Sequence, residues 1–88
     1  MDIEIDHQKN PLMGWNITVV VTAANDETIS AVRVEVNGFP EVSENVNPPV
    51  KKWKRSLTQQ GNFPGDNKVL VTATNGTGHQ DSSSDQWS

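Results

Sequence analysis

The chain has 88 residues, no cysteine, 33% hydrophobic residues and a formal net charge of -4. A chain of this length forms one small domain, and the lack of cysteine excludes disulfides, thiolate metal clusters and a thiol nucleophile. No apolar run approaches the roughly 20 residues of a membrane-spanning helix, and the acidic start resembles neither a secretory signal nor a transit peptide. The net negative charge argues against general nucleic-acid binding.

Valine dominates the apolar residues, with eleven copies against three leucines. Side chains branched at Cβ suit the pleated surface of a strand, whereas good helix formers are scarce. Six glycines and five prolines supply the turns between short strands. The composition therefore predicts an all-β domain.

Alternating apolar and polar residues predict seven short strands, each with one buried face. The first is followed by a loop that begins at His7, so residues 1–14 form a less regular strand and loop. Asn37-Gly38 predicts a hairpin after the third strand because both residues tolerate positive φ. The fourth is an irregular edge strand that ends at the break Asn47-Pro48-Pro49. The predicted strands cover residues 2–6, 15–24, 29–36, 39–49, 50–58, 68–74 and 79–88, with loops or turns at 7–14, 25–27, 59–67 and 75–78.

Two near-identical runs of sequence lie 50 residues apart, at 19–25 and at 69–75. Such runs suit the central strands of two facing sheets, and the alternative is coincidence between two strands rich in Val and Thr. Seven strands at roughly 8–12-residue spacing predict a two-sheet β-sandwich that spans residues 1–88 as a single domain. The predicted core is Ile17, Val19, Val21, Ala23, Val32, Val34, Val36, Trp53, Leu57, Val69, Val71 and Ala73.

The run Ile-Thr-Val-Val-Val-Thr-Ala at 17–23, with Ile-Ser-Ala-Val-Arg-Val-Glu-Val-Asn-Gly at 29–38, resembles the bacterial immunoglobulin-like accessory domains. In that group a Trp-bearing strand follows, and then an Asn-x-Val-x-Val-x-Ala-Thr segment, as at 67–74. The resemblance covers nearly the whole chain from about Trp15. It implies an immunoglobulin-like sandwich of about seven antiparallel strands, used as a spacer or module in secreted polysaccharide-degrading enzymes, surface adhesins and phage structural proteins. Asn75 replaces the usual Asp of the group, which weakens a calcium site borrowed from it.

A basic segment surrounds one tryptophan, with Lys51, Lys52, Lys54 and Arg55 on either side of Trp53. Four positive charges and an indole suit an anionic glycan, a phosphate polymer or an acidic partner. In the other interpretation Trp53 fills the core, while the lysines keep an edge strand from pairing with another molecule. We favour the second interpretation and keep the first as the candidate binding site.

Trp15 and Trp87 lie towards the two ends of the chain. If both were exposed, they would form a platform for sugar rings. A tryptophan in so small a domain more often closes one end of the sandwich, and we expect that arrangement.

Residues with metal-binding or catalytic chemistry show no diagnostic spacing. The acids of the predicted loops and last strand lack an EF-hand pattern, and the two histidines lack zinc-site spacing. The three serines beside His79 and Asp81 do not make a triad, and no glycine-rich phosphate loop occurs. We therefore expect no metal, no cofactor and no catalytic residue. The residues considered are Asp26, Glu27, Asp66, Asp81, Asp85, His7, His79, Ser82, Ser83 and Ser84.

The sequence predicts a non-catalytic structural or spacer module, excised from a larger secreted or cell-surface bacterial protein. We expect a monomer that contacts neighbouring domains of its parent chain, binds no nucleic acid and does not insert into membranes. The alternative is a carbohydrate- or polyanion-binding adhesion module that uses residues 51–55 and an exposed tryptophan.

Overall fold

The computed structural model describes residues 1–11, 14–59 and 67–88, and in these residues the chain forms seven β-strands. Within this part of the chain, no helix is long and apolar enough to cross a lipid bilayer. The strands are β1 (Asp2–Lys9), β2 (Trp15–Thr22), β3 (Ile29–Val36), β4 (Phe39–Val50), β5 (Lys52–Gln59), β6 (Asn67–Asn75) and β7 (Gln80–Trp87).

The strands form two sheets in which all neighbours are antiparallel. One sheet has the order β1-β2-β5 and the other has the order β4-β3-β6-β7. The chain therefore folds as an immunoglobulin-like two-sheet sandwich, as the sequence predicted. The repeated runs lie on β2 and β6, each of them an inner strand of its sheet, so the prediction that they occupy central strands of facing sheets is confirmed.

The core is a layer of β-branched side chains between the two sheets. Ten of the twelve predicted core residues are buried, whereas Ala23 and Leu57 are only partly buried at its margin. Ala23 lies beyond the end of β2, and Leu57 lies on the edge strand β5. Val42 and Ile29 are also buried, and the sequence analysis missed both.

The reasons for these two omissions are local. Val42 lies in the segment that was predicted to be irregular, although its side chain faces inward from β4. Ile29 and Val32 are both buried despite their odd spacing, because the β3 ladders shift register between Ile29 and Ala31. A β-bulge inserts one residue and so reverses the faces on either side of it.

The largest differences from the predicted strands lie in β1 and β4. The first strand continues through His7 to Lys9, because His7 occupies the next inward position after Ile3 and Ile5 and contacts aromatic residues there. The predicted break at Asn47-Pro48-Pro49 lies inside β4, and the Asn47–Pro48 peptide bond is cis. β4 is an edge strand, where a proline need not donate a ladder hydrogen bond. The predicted loop at 59–67 lies mostly outside the described residues.

The predicted hairpin between β3 and β4 turns at Asn37 and Gly38, whose φ angles are 51° and 84°. Asn37 also joins the hairpin to β6. Its backbone N–H donates to the carbonyl of Lys68 (2.8 Å), and its Oδ1 accepts from the Lys68 N–H (2.8 Å). The turn is thereby fixed to an inner strand of the same sheet.

The first and last strands run in the same direction along the long axis of the molecule. The backbone nitrogen of Met1 lies against Glu27 and Asp81, beside the β2–β3 and β6–β7 turns. Trp87 pairs with Asn67 at the opposite end. The molecule measures 41 × 19 × 18 Å, and the two ends of the chain lie at opposite ends of its strands, separated by roughly the 23 Å that the chain spans from Asp81 to Ser88.

Candidate functional site

The basic segment begins with a lysine that holds a turn in place. Lys51 lies between β4 and β5, and its Nζ donates to the carbonyls of Ala24 (3.3 Å), Asn25 (2.9 Å) and Glu27 (2.6 Å). The Lys51 carbonyl accepts from the backbone N–H of Ala23 at 2.9 Å. The ammonium group of Lys51 therefore satisfies carbonyls of the β2–β3 turn.

Trp53 lies in the core, with 7% of its surface exposed, as the favoured interpretation predicts. Its Nε1 donates to Glu44 Oε2 (3.1 Å), and the Arg55 guanidinium donates to the same oxygen (2.5 Å). The guanidinium carbon of Arg55 also lies 5.3 Å from the centre of the indole ring. The Trp53 ring is therefore engaged by Glu44 and Arg55 of the same chain.

The Glu44–Arg55 contact joins the two sheets. Glu44 lies on β4 and Arg55 on β5, which are the edge strands of different sheets. The pair therefore closes one open side of the sandwich above the Trp53 ring. Of the five residues in the basic segment, Lys52 and Lys54 extend into solvent from the outer face of β5.

Trp15 and Trp87 pack together at the end of the sandwich opposite Met1. Their ring centroids lie 5.6 Å apart, and the ring planes meet at 69°. His7 stacks on Trp87 at 4.1 Å, and its Nδ1 lies 2.7 Å from Asp85 Oδ2. Both tryptophans are half-buried. The arrangement agrees with an end plug, because rings set at a steep angle do not present one flat surface to a sugar.

One buried polar atom in this cluster is unpaired. Trp87 Nε1 is inaccessible to solvent and has no acceptor among the described residues. A tryptophan at this end of the sandwich agrees with the sequence prediction, whereas the contact of His7 with both indoles was not predicted. The inward alternation of Ile3, Ile5 and His7 was the signal that would have found it.

The candidate metal-binding acids are distributed over both ends of the molecule. Glu27 and Asp81 lie near Met1, whereas Asp85 contacts His7 at the other end. Asp26 is exposed, and Asp66 lies outside the described residues. In the described part of the chain, no group of three or more His, Cys, Asp or Glu residues is placed to hold a metal ion.

Glu27 is the most fully engaged of these acids. Oε1 accepts from the Ala24 N–H (3.1 Å) and lies 3.0 Å from the Met1 ammonium, while Oε2 accepts from Asn75 Nδ2 (3.1 Å). The Ala24 N–H first, and then the Asn75 amide and the Met1 ammonium, lower the pKa of Glu27 to about 2. Glu27 therefore acts as a structural acceptor that fixes three separate parts of the chain.

Asn75 organises the β6–β7 turn as well. Its Oδ1 accepts from the Thr77 N–H (3.0 Å), the Thr77 hydroxyl (2.8 Å) and the His79 N–H (2.9 Å). A shallow depression of about 280 Å³ lies beside it, bordered by Asp26 and Glu27 among others. An amide at position 75 both accepts and donates, so it suits Glu27 better than the Asp of the resembled group.

The residues considered for catalysis do not converge. His79 Nε2 lies 3.7 Å from Asp81 Oδ1, both on one side of the β6–β7 turn. The Ser82 hydroxyl faces Thr72 Oγ1 across the sheet at 3.5 Å. No nucleophile–base contact appears in these distances.

The outer face of the four-stranded sheet carries a polar groove that the sequence analysis missed. It has a volume of about 380 Å³ and is open to solvent. The small side chain of Ala31 forms its floor, next to the Arg33–Glu35 ion pair (2.9 Å). The alternating Ser, Thr and Asn residues of β4 and β6 were the signal in the sequence that could have predicted it. Its other lining residues include Ser43, Asn45, Thr72, Thr74 and Gln80.

No protein-family model, no curated protein and no solved structure matches this chain.

Proposed function

We propose that this domain is a non-catalytic spacer module of a larger secreted or cell-surface bacterial protein. The observation that carries the proposal is the position of the two chain ends, which lie at opposite ends of the strands and roughly 23 Å apart, in a body 41 Å long and 18–19 Å wide. A module with its ends placed in this way extends a linear chain of domains along its strands. The sequence resemblance to bacterial immunoglobulin-like accessory domains supports the same role and the same location.

The contacts of the basic segment also support a structural role. Lys51 holds a turn, Trp53 fills the core and Arg55 joins the sheets. Each of these side chains has a partner within the chain, whereas Lys52 and Lys54 are exposed and form no ion pair or side-chain hydrogen bond within the described residues. Two lysines on one face of β5, with the ring of Trp53 between them buried, are a weak basis for sugar recognition.

A tandem protein tests the spacer role. Two, three and four copies are joined from Ser88 to the next Met1, and small-angle X-ray scattering measures the maximum dimension of each. We expect each further copy to add about 23 Å or more, the distance along β7 from the Asp81 that contacts Met1 to Ser88. A four-copy protein no longer than about four times the 19 Å width would show that successive copies lie side by side, and it would contradict the proposal.

The binding alternative is tested with the isolated domain. Glycan and heparin arrays are screened at low and physiological salt, with K52Q/K54Q as the matched variant. The spacer proposal predicts no salt-sensitive binding on either array. Binding that is lost in K52Q/K54Q would establish the polyanion-binding function in its place.

A further inference from the structure

The outer face of the three-stranded sheet sorts its charges by sign. Acidic side chains extend from one edge strand, β1, and lysines extend from the other, β5, while β2 between them presents uncharged side chains. All of these positions alternate with the buried ones. The acids are Asp2, Glu4 and Asp6, the central residues are Thr18, Val20 and Thr22, and the lysines are Lys52 and Lys54.

The strand register aligns these charges in rows. Asp2 pairs with Thr22, which pairs with Lys52, and the next outward row runs from Glu4 through Val20 to Lys54. Because neighbouring strands lie about 4.8 Å apart, the backbones of the acid and the lysine in a row are roughly 10 Å apart. Within the described residues, none of the five charged side chains on this face forms an ion pair or a side-chain hydrogen bond.

A face with one acidic and one basic edge is complementary to a copy of itself. A two-fold axis that lies between the two faces and runs parallel to β2 turns the face of a second copy towards the first and exchanges left and right, but it leaves positions along the strand unchanged. Lys52 then faces the second copy's Asp2, Lys54 faces its Glu4, and Val20 meets its own counterpart. We propose that two copies of this chain associate face to face through the β1-β2-β5 sheet, in a closed symmetric dimer.

The size of the face sets the strength of this dimer. Three strands of eight residues cover about 400 Å² per copy, or roughly 800 Å² in total, below the size of a stable interface. The charges provide orientation and rapid encounter more than affinity. The dimer is therefore weak and sensitive to salt, and dilute protein is monomeric. It becomes populated where copies are held close together, because tethering raises their effective concentration.

Edge-to-edge pairing is the competing geometry for a second copy. It would place the β5 edge of one molecule beside the β1 edge of the next, which also brings opposite charges together. That contact leaves a free edge at each end, so it grows into a filament and does not close. The face-to-face dimer stops at two copies, and the size of the assembly distinguishes the two geometries.

Sedimentation equilibrium of the isolated domain near millimolar concentration tests the proposal. We expect the wild type to form dimers at low salt, with an association constant that falls at least about tenfold when salt is raised to screen the charges. K52E/K54E and D2K/E4K each place one sign at both ends of the two rows, and each is expected to be monomeric. An equimolar mixture of the two variants regains a dimer, as does the fourfold variant D2K/E4K/K52E/K54E.

The matched control is K9E/K68E, which makes the same change in net charge at two exposed lysines that do not belong to the rows. It is expected to dimerise within about threefold of the wild type. Circular dichroism confirms that each variant is folded. If K52E/K54E is not folded, the neutral variant K52Q/K54Q replaces it. A wild type that stays monomeric at low salt, a mixture that stays monomeric, or assemblies larger than dimers would overturn the proposal. The two tests are independent, because in the face-to-face dimer Ser88 of one copy and Met1 of the other lie at opposite ends of the strands, so directly joined neighbours in the tandem protein cannot form it.

Discussion

At the scale of single residues, Glu27 and Asn75 stabilise one end of the sandwich. Glu27 contacts the first residue of the chain, the β2–β3 turn and the β6–β7 turn, and Asn75 is 9% exposed. The hydrogen bond to Asp81, followed by that to Glu27, raises the pKa of the Met1 ammonium. The charged forms of Glu27 and of the Met1 ammonium are therefore favoured by folding.

Glu27 gives the stability of the domain a specific dependence on pH. Its pKa is about 2 in the folded protein, compared with 4.5 for an unperturbed carboxyl. A lowered pKa adds stability above the unfolded value, and that stability is lost as the pH falls towards the folded value. We expect Glu27→Gln to melt below the wild type at pH 7, with a difference that shrinks between about pH 4.5 and pH 2.

Thermal melts followed by circular dichroism at a series of pH values measure this difference. Glu41→Gln is the control, since Glu41 is exposed on β4 and forms no ion pair within the described residues. Its melting temperature should stay parallel to that of the wild type. A constant gap between wild type and Glu27→Gln down to pH 2 would show that the carboxylate charge contributes nothing.

Asn75→Asp tests why an amide occupies this position. The substitution removes the donor to Glu27 and places a second carboxylate beside it, while the acceptor for Thr77 and His79 remains. We expect a loss of about 1–3 kcal/mol in the free energy of unfolding at pH 7. Urea denaturation measures this loss. Asn45→Asp is the control for the added charge, because Asn45 is exposed on β4. Equal stability of Asn75→Asp and wild type would refute this assignment.

At the scale of elements, turns and edge contacts decide how the strands are held. The β3–β4 hairpin is fixed to β6 by Asn37, and one open side of the sandwich is joined by Glu44 and Arg55. These two side chains are 40% and 42% exposed, so their ion pair contributes less than about 1 kcal/mol. The hairpin turn is the more sensitive element, because its backbone conformation excludes most side chains.

Gly38→Ala is expected to destabilise the domain by about 1 kcal/mol or slightly more. Gly38 has a φ of +84°, and a Cβ atom there would meet nothing within 4 Å, so the cost arises in the backbone and not in packing. Chemical denaturation measures the change. Gly76→Ala is the contrasting variant, because its Cβ would lie 3.0 Å from Thr28 Oγ1, and Thr28→Ala should relieve that contact. Relief of Gly38→Ala by any side-chain truncation would contradict the backbone explanation.

At the scale of the whole molecule, the terminal strands β1 and β7 run parallel along the long axis, with Met1 at one end of the sandwich and Ser88 at the other. Force applied between the chain ends therefore acts along both strands. The hydrogen bonds of an antiparallel ladder lie perpendicular to the strands, so this direction loads many bonds at once. Such a geometry suits a module that transmits tension along a linear protein.

Single-molecule pulling tests this property. We expect a higher unfolding force when the handles are at Met1 and Ser88 than when they are at position 68 and Ser88. Lys68 and Gln86 face each other on β6 and β7, so the second pair of handles opens that ladder one bond at a time. The chain has no cysteine, and Lys68→Cys supplies a unique attachment point. Equal forces in the two directions would contradict the shear geometry.

The sequence was most informative where alternation is strict. In β2 and β6, the period of two identifies the buried face without help from the rest of the fold, and Val19, Val21, Val69 and Val71 are all fully buried. It failed at Ile29, where a bulge changes the face, and at β4, where prolines suggested a break. Bulges depend on the partner strand, so a local pattern cannot reveal them.

The candidate site was less predictable than the fold. The sequence alone determined that Lys51, Lys52, Lys54 and Arg55 surround Trp53, and it determined an all-β sandwich with a valine core, because β-branched alternation is a local property. Only the tertiary structure decided which of those cationic side chains have a partner within the chain. Lys51 reaches carbonyls more than 20 residues away, and Arg55 meets Glu44 across the two sheets. The same pairing of distant strands placed acids and lysines on opposite edges of one face, since register between strands is set by the whole fold and not by neighbours in sequence.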